Sequence, residues 1–271
     1  MLRDHLVAHH VAKPHEFRWR SREISRIEGL SDAVFGFAVT LLIVALEVPR
    51  TSGELLETMR GFISFGLTFG MLYALWYRQF LFFRRYALDD RLTIALNGAL
   101  LFVVLFFVFP LKFIFGYAVD RLLGGPKTIR LPNGALERIV RPEHMAPMMS
   151  IYGLGAAAVF GLFALLYAHA YRQREALHLN ELELFDTRLS VEALAFATGI
   201  GLLTVVQANA VGMAAGKPYE DQVAYATSAL LFGFVGLMLY TTRKRRRQRR
   251  ELVERIKLEG VERETGGGIQ S

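Results

Sequence analysis

The chain has 271 residues, 53% of them hydrophobic, and its 32 Lys+Arg outnumber 25 Asp+Glu to give a formal charge of +7. With no cysteine it holds no disulfide framework, thiol nucleophile or cysteine-based metal site. The apolar residues come in long blocks separated by basic segments, which is the pattern of membrane spans and not of a soluble core.

In chain order, residues 1–25 form a polar leader, expected to be cytoplasmic. It lacks the short apolar core and small-residue cleavage site of a signal peptide, so the first span is expected to act as its own insertion signal. His5, His9, His10 and His15 cluster there without a second ligand set, which reads as a solvated tail and no metal site.

Six segments have the roughly 20 apolar residues a helix needs to cross a bilayer. They lie near Leu30–Val48, Met59–Tyr77, Leu92–Phe115, Ala146–Tyr171, Leu189–Val211 and Val223–Thr242. Spanning strands are excluded, because an open sheet leaves backbone groups unpaired in lipid and no barrel-like alternation is present. The sequence thus predicts an all-α, polytopic membrane protein with a six-span domain over residues 26–242 and a basic cytoplasmic tail over 243–271.

The external loop, residues 117–145, is long for a bare connector. Its TIRLPNGALERIV reads as a β-hairpin turning at Asn133-Gly134, although a surface loop without function is the simpler account. Twenty-three Lys/Arg fall on the side of the two termini and eight on the other, leaving out Lys112 inside a span. Both termini are therefore expected in the cytoplasm and the spans in the cell membrane. Gly66 and Gly70 have the spacing that lets helices approach closely, and Gly153, Gly155, Gly199, Gly201, Gly233 and Gly236 suggest a compact bundle.

The first span opens RIEGLSDAVFGFAVTLLIVALEVP, with Arg26, Ser31 and Asp32 at its threshold. Ser31-Asp32 alone would serve as an N-cap. If the helix already runs through Arg26, Asp32 lies inside it, and an intramembrane charge calls for a partner or water. Arg26 is poorly placed for that on the same helix, being roughly 240° around it. Glu28, four residues before Asp32, adds a like charge. The two groups are thus expected to reach toward other helices or subunits. Farther along, Ala33, Phe37, Thr40, Val44 and Glu47 share one face, a stripe that spacing alone assigns to packing. A lone Thr40 is expected to bond the carbonyl of Gly36.

Arg26, Leu30, Ser31 and Asp32, followed by AVFGFAVTLL, resemble the Arg-x-x-x-Phe-Ser-Asp signature of the transmembrane protein 175 family of potassium channels. Trp76 in the second span, and Asn97 with the later Pro110 in the third, fall where relatives carry the same residues. Leu30 replaces the signature Phe, Gln79 stands near the place of a family His, and Phe37 is bulkier than the usual Ile or Leu. The resemblance implies six spans per chain, a homotetramer, and first helices lining a central pore. It makes Arg26, Ser31 and Asp32 an intersubunit or interhelix lock, with Trp76, Gln79 and Asn97 as candidate partners. It also implies a K⁺ pore whose hydrophobic constriction comes from Phe37, Thr40, Leu41 and Val44. No TVGYG-like filter is present, and apolar rings can gate by dewetting.

Lys112 and Glu192 lie near span ends and are expected to snorkel to the interface. RKRRRQRR, from Arg243 to Arg250, is a stop signal that can also attract anionic lipid; nucleic acid is not expected. No phosphate loop, HExxH or GxSxG occurs, so neither an enzyme nor a cofactor is expected, and K⁺ is the only metal ion, in transit. The leading expectation is a K⁺-permeable channel. The alternatives are a non-conducting scaffold of the same fold, with Phe37 plugging the axis, and a secondary transporter, disfavoured because no paired broken helices occur in matching halves.

Overall fold

The computed structural model describes residues 17–21, 23–44, 50–124, 128–130, 135–218 and 220–266. Its helices are α1 (Arg26–Val44), α2 (Ser52–Arg60), α3 (Phe62–Tyr86), α4 (Arg91–Leu122), α5 (Pro142–Arg172), α6 (Glu181–Ala214) and α7 (Glu220–Gly266). Between α4 and α5, β1 (Thr128–Arg130) pairs antiparallel with β2 (Leu136–Arg138), Ile129 opposite Glu137. The hairpin within the external loop is thus formed; its Asn133-Gly134 turn lies outside the described residues, as do the four leader histidines and Glu47.

Five helices, α1, α4, α5, α6 and α7, are long and apolar enough to cross a membrane. α3 has the length, but Tyr73, Trp76, Tyr77, Arg78 and Gln79 make its second half polar and aromatic. It starts at Phe62, not Met59, and continues past Tyr77 to Tyr86, so Arg78, Arg84 and Arg85 sit on the helix. Cations are favourable near the unpaired carbonyls of a helix C-terminus. The helix closes where Ala87, at φ 50°, donates its N–H to Phe83 O.

The core lies where α1, α3, α4 and α5 meet. Phe35, Ala38 and Leu42 of α1 pack with Leu72, Phe82 and Tyr86 of α3, Leu100 and Val104 of α4, and Phe163 and Leu166 of α5. α6 joins α5 along a glycine seam. A Cβ on Gly153 would lie 2.7 Å from Gly201 O, and one on Gly201 2.7 Å from both Gly153 O and Ala157 N, so only hydrogen fits there. Gly66, Gly70, Gly233 and Gly236 meet nothing within 4 Å, because their faces touch no other helix of the chain.

Arg18 and Arg20 of the leader and Arg245, Arg249 and Arg255 of α7 converge on the first half of α6. Phe17 stands edge-on to Tyr86 at 5.5 Å, and Arg20 donates its backbone N–H to Arg84 O at 2.9 Å. Arg18 and Arg20 then reach Glu183, whose side chain is fully buried, at 3.0 and 2.7 Å. The last part of the polar leader is therefore a folded strap. From the other end, Arg249 makes a two-pronged bond to Asp186 at 2.6 and 2.8 Å, and Arg255 meets Glu181 at 2.5 Å. Glu192 is paired with Arg188 at 3.2 Å and with Arg245 at 2.9 Å. Lys112 is half-buried on α4.

Candidate functional site

α1 begins five residues before Ser31. Ser25 Oγ accepts from the Glu28 N–H at 3.2 Å, and Ser25 O takes the first helical bond, from Gly29 N, at 2.9 Å. Ser25-Arg26-Ile27-Glu28 has the Ser-x-x-Glu spacing of a helix start, a signal that sequence reading passed over. Ser31 and Asp32 are thus inside the helix, and the N-cap alternative fails.

The buried side of α1 is Glu28, Ser31, Phe35, Ala38 and Leu42, alternating in steps of three and four as a packing seam does. Its polar end is joined to α3 and α4 by a chain of hydrogen bonds. Gln79 Nε2 donates to Asn97 Oδ1, Asn97 Nδ2 donates to Ser31 Oγ at 2.9 Å, and Ser31 Oγ donates to Ile27 O at 2.8 Å. All three side chains are 2% exposed or less, so each needs the partner it has. One step around the helix, Trp76 Nε1 donates to Asp32 Oδ1 at 2.7 Å. The helix–helix partner of the Asp32 carboxylate is an indole and not an arginine.

Glu28 also differs from its sequence reading. It is no mere like charge beside Asp32: its Oε1 lies 3.2 Å from Arg84 Nε, and its Oε2 is buried with no hydrogen-bond partner among the described residues. Arg84 in turn covers the Phe80 ring at 5.3 Å. Arg26 is exposed and has no ion pair or hydrogen bond among the described residues, so the three signature residues do not meet one another in one chain.

Roughly 200° around α1 from its packing seam lies the stripe of Ala33, Phe37, Thr40 and Val44, all exposed. Phe37 is 56% and Val44 73% exposed, while Leu41 is half-buried at the border. Thr40 Oγ1 donates to Gly36 O at 3.0 Å. This face is therefore not the seam that holds α1 in its own chain. Beside it, α1 and α3 enclose a groove of about 510 Å³ lined by Asp32, Gly36, Val39, Phe69, Tyr73 and Trp76 among others. Neighbouring rings run along α3 from Phe62 through Phe65, Phe69 and Tyr73 to Trp76 and Phe80, stacked except for the tilted Tyr73–Trp76 pair. Among the described residues no group of three His, Cys, Asp or Glu is arranged to hold a metal ion.

Residues 26–107, which carry this whole site, match the family model described as endosomal/lysosomal potassium channel TMEM175. A potassium channel of Marivirga tractuosa is 37% identical over 192 residues, covering 70% of this chain and 76% of that protein. A potassium channel of Chamaesiphon minutus is 31% identical over 105 residues, covering 36% of this chain and 52% of its own length. Among solved structures, the T38A variant of the potassium channel MtTMEM175, crystallised with a nanobody–MBP fusion, superposes with a TM-score of 0.70 at 31% identity. That likeness covers 86% of this chain and 97% of the other. With its site, its fold and most of its length shared in this way, the chain belongs to the TMEM175 family of potassium channels.

Proposed function

We propose that this membrane protein passes K⁺ through a pore built by four copies of α1, with Phe37, Thr40, Leu41 and Val44 as its constriction. The observation that carries the reading is the division of α1. Phe35, Ala38 and Leu42 are buried in its own chain, while the face with Phe37, Thr40 and Val44 is left uncovered. An apolar ring on that face would gate by dewetting, and Thr40 hydroxyls would supply oxygen ligands beside it. A channel has no reaction to catalyse, and the chain is not an enzyme.

In this reading α3 is the sixth span. Its 25 residues reach about 38 Å at 1.5 Å per residue, enough for about 30 Å of hydrocarbon. Both termini then lie on the basic, cytoplasmic side of the cell membrane. Arg26 is free to meet a neighbouring copy, while Ser31 and Asp32 hold α1 to α3 and α4; the lock is part intersubunit and part interhelical.

The size and exposure of Phe37 support a second reading, a non-conducting scaffold whose axis is plugged. K⁺ flux from proteoliposomes holding wild type or Phe37→Ala separates the two. Flux from wild type supports the channel; flux only from the variant supports the plug. No flux from either, with tetramers intact by light scattering, overturns the pore.

A further inference from the structure

The basic run at the start of the α7 extension is divided between two faces. Arg245 and Arg249 point to α6 and are neutralised there by Glu192 and Asp186, with Arg255 on Glu181 farther out. Arg243, Lys244, Arg246, Arg247 and Arg250 are exposed, and none has an ion pair or hydrogen bond among the described residues. At 100° per residue, Arg243, Arg247 and Arg250 cluster roughly 140–200° from Arg245, on the side of α7 turned away from α6. A groove of about 510 Å³ along that side is lined by Tyr240, Arg243, Lys244, Arg247, Gln248 and Glu251.

Depth along the helix identifies the occupant. The apolar span closes near Thr242, so Arg243, Lys244 and Arg247 lie within about 8 Å of its end at 1.5 Å per residue. That is the headgroup layer, some 5–8 Å thick on each face of a bilayer. Tyr240, 65% exposed, stands one turn before it, where aromatic rings favour the interface. We infer that this outward face of α7 binds the phosphate headgroups of anionic lipids. Arg245 and Arg249, already neutralised by Glu192 and Asp186, lie outside that surface. The surface does not depend on ion conduction, only on α7 crossing the membrane.

The test uses full-length protein in maltoside micelles doped with equal mole fractions of phosphatidylglycerol or phosphatidylcholine, with lipid retained per chain read by native mass spectrometry. Wild type is expected to retain phosphatidylglycerol about tenfold over phosphatidylcholine, and 0.5 M NaCl to remove most of that preference. R243Q/K244Q/R247Q/R250Q brings the two lipids within about twofold. Asp186→Asn, which leaves every cation in place, keeps the wild-type preference and shows that loss in the first variant does not come from a loosened tail. Equal retention by wild type, or an undiminished preference in the fourfold variant, overturns the inference. Loss of the oligomer in the fourfold variant with lipid preference unchanged would make this face a contact between copies and overturn it as well.

Discussion

Asn97→Leu is the perturbation that bears most directly on how α1 is held. Asn97, 1% exposed, accepts from Gln79 and donates to Ser31, so the substitution removes both interhelix hydrogen bonds without opening a cavity. Within a membrane each such bond contributes about 0.6 kcal/mol on average. The Gln79 amide, also 1% exposed, would be left without its partner, at about 1–3 kcal/mol. Together the loss is about 2–4 kcal/mol. Ser31 is unaffected as a donor, because its hydroxyl still reaches Ile27 O. Adding Gln79→Leu removes the orphan, and the double variant should recover about 1–3 kcal/mol relative to the sum of the single variants. Unfolding by SDS titration in mixed micelles, followed by far-UV circular dichroism, measures both quantities. A single variant within 0.5 kcal/mol of wild type, or strict additivity in the double, would refute the view that a buried polar chain anchors α1.

Arg26→Ala should weaken the oligomer in mild detergent while leaving helix content unchanged, since Arg26 is exposed and has no ion pair or hydrogen bond among the described residues; gel filtration with light scattering reads this, and an intact oligomer counts against an intersubunit role. Glu183→Gln should release the N-terminal strap, because two arginines converge on that buried carboxylate; breaking such a pair costs about 3–5 kcal/mol, and trypsin should then cleave at Arg18 and Arg20 faster than in wild type. Gly201→Ala should cost about 1–3 kcal/mol by forcing α5 and α6 apart, whereas Gly233→Ala, facing open space, should be neutral or slightly stabilising in the same titration. At the N-cap of α4, burial pushes the Asp90 carboxyl up, but bonds from Thr93, His169 and Leu92 outweigh it and hold the carboxyl below its usual range. A carboxylate lowered on folding stabilises fully above its unfolded pKa and loses that contribution as pH falls through its folded value. Asp90→Asn should therefore flatten the decline in stability below about pH 4, and an unchanged acid limb would refute the assignment.

Much of the molecule was legible without coordinates because a bilayer imposes simple rules. A helix in contact with lipid is apolar over most of the stretch that crosses it, so α1, α4, α5, α6 and α7 stand out by composition, and the signature around Ser31-Asp32 lies on the first of them. α3 was harder to bound. Its aromatic and basic second half is held by bonds to α1 and α4, such as Trp76 to Asp32 and Gln79 to Asn97, and has a charge-favoured C-terminus, neither of which hydropathy registers.

What only tertiary structure decided is which groups pair and which face of α1 is spoken for. The three-four spacing of Glu28, Ser31, Phe35, Ala38 and Leu42 and the spacing of Ala33, Phe37, Thr40 and Val44 are equally good seams on paper. The choice falls to the first set because Asn97 and Trp76, distant in sequence, are brought beside Ser31 and Asp32. The strap on Glu183 and the arginines on Asp186 and Glu192 follow the same logic. Charge pairs between residues far apart leave no periodicity in the chain, since they depend on how helices cross and not on what each helix contains.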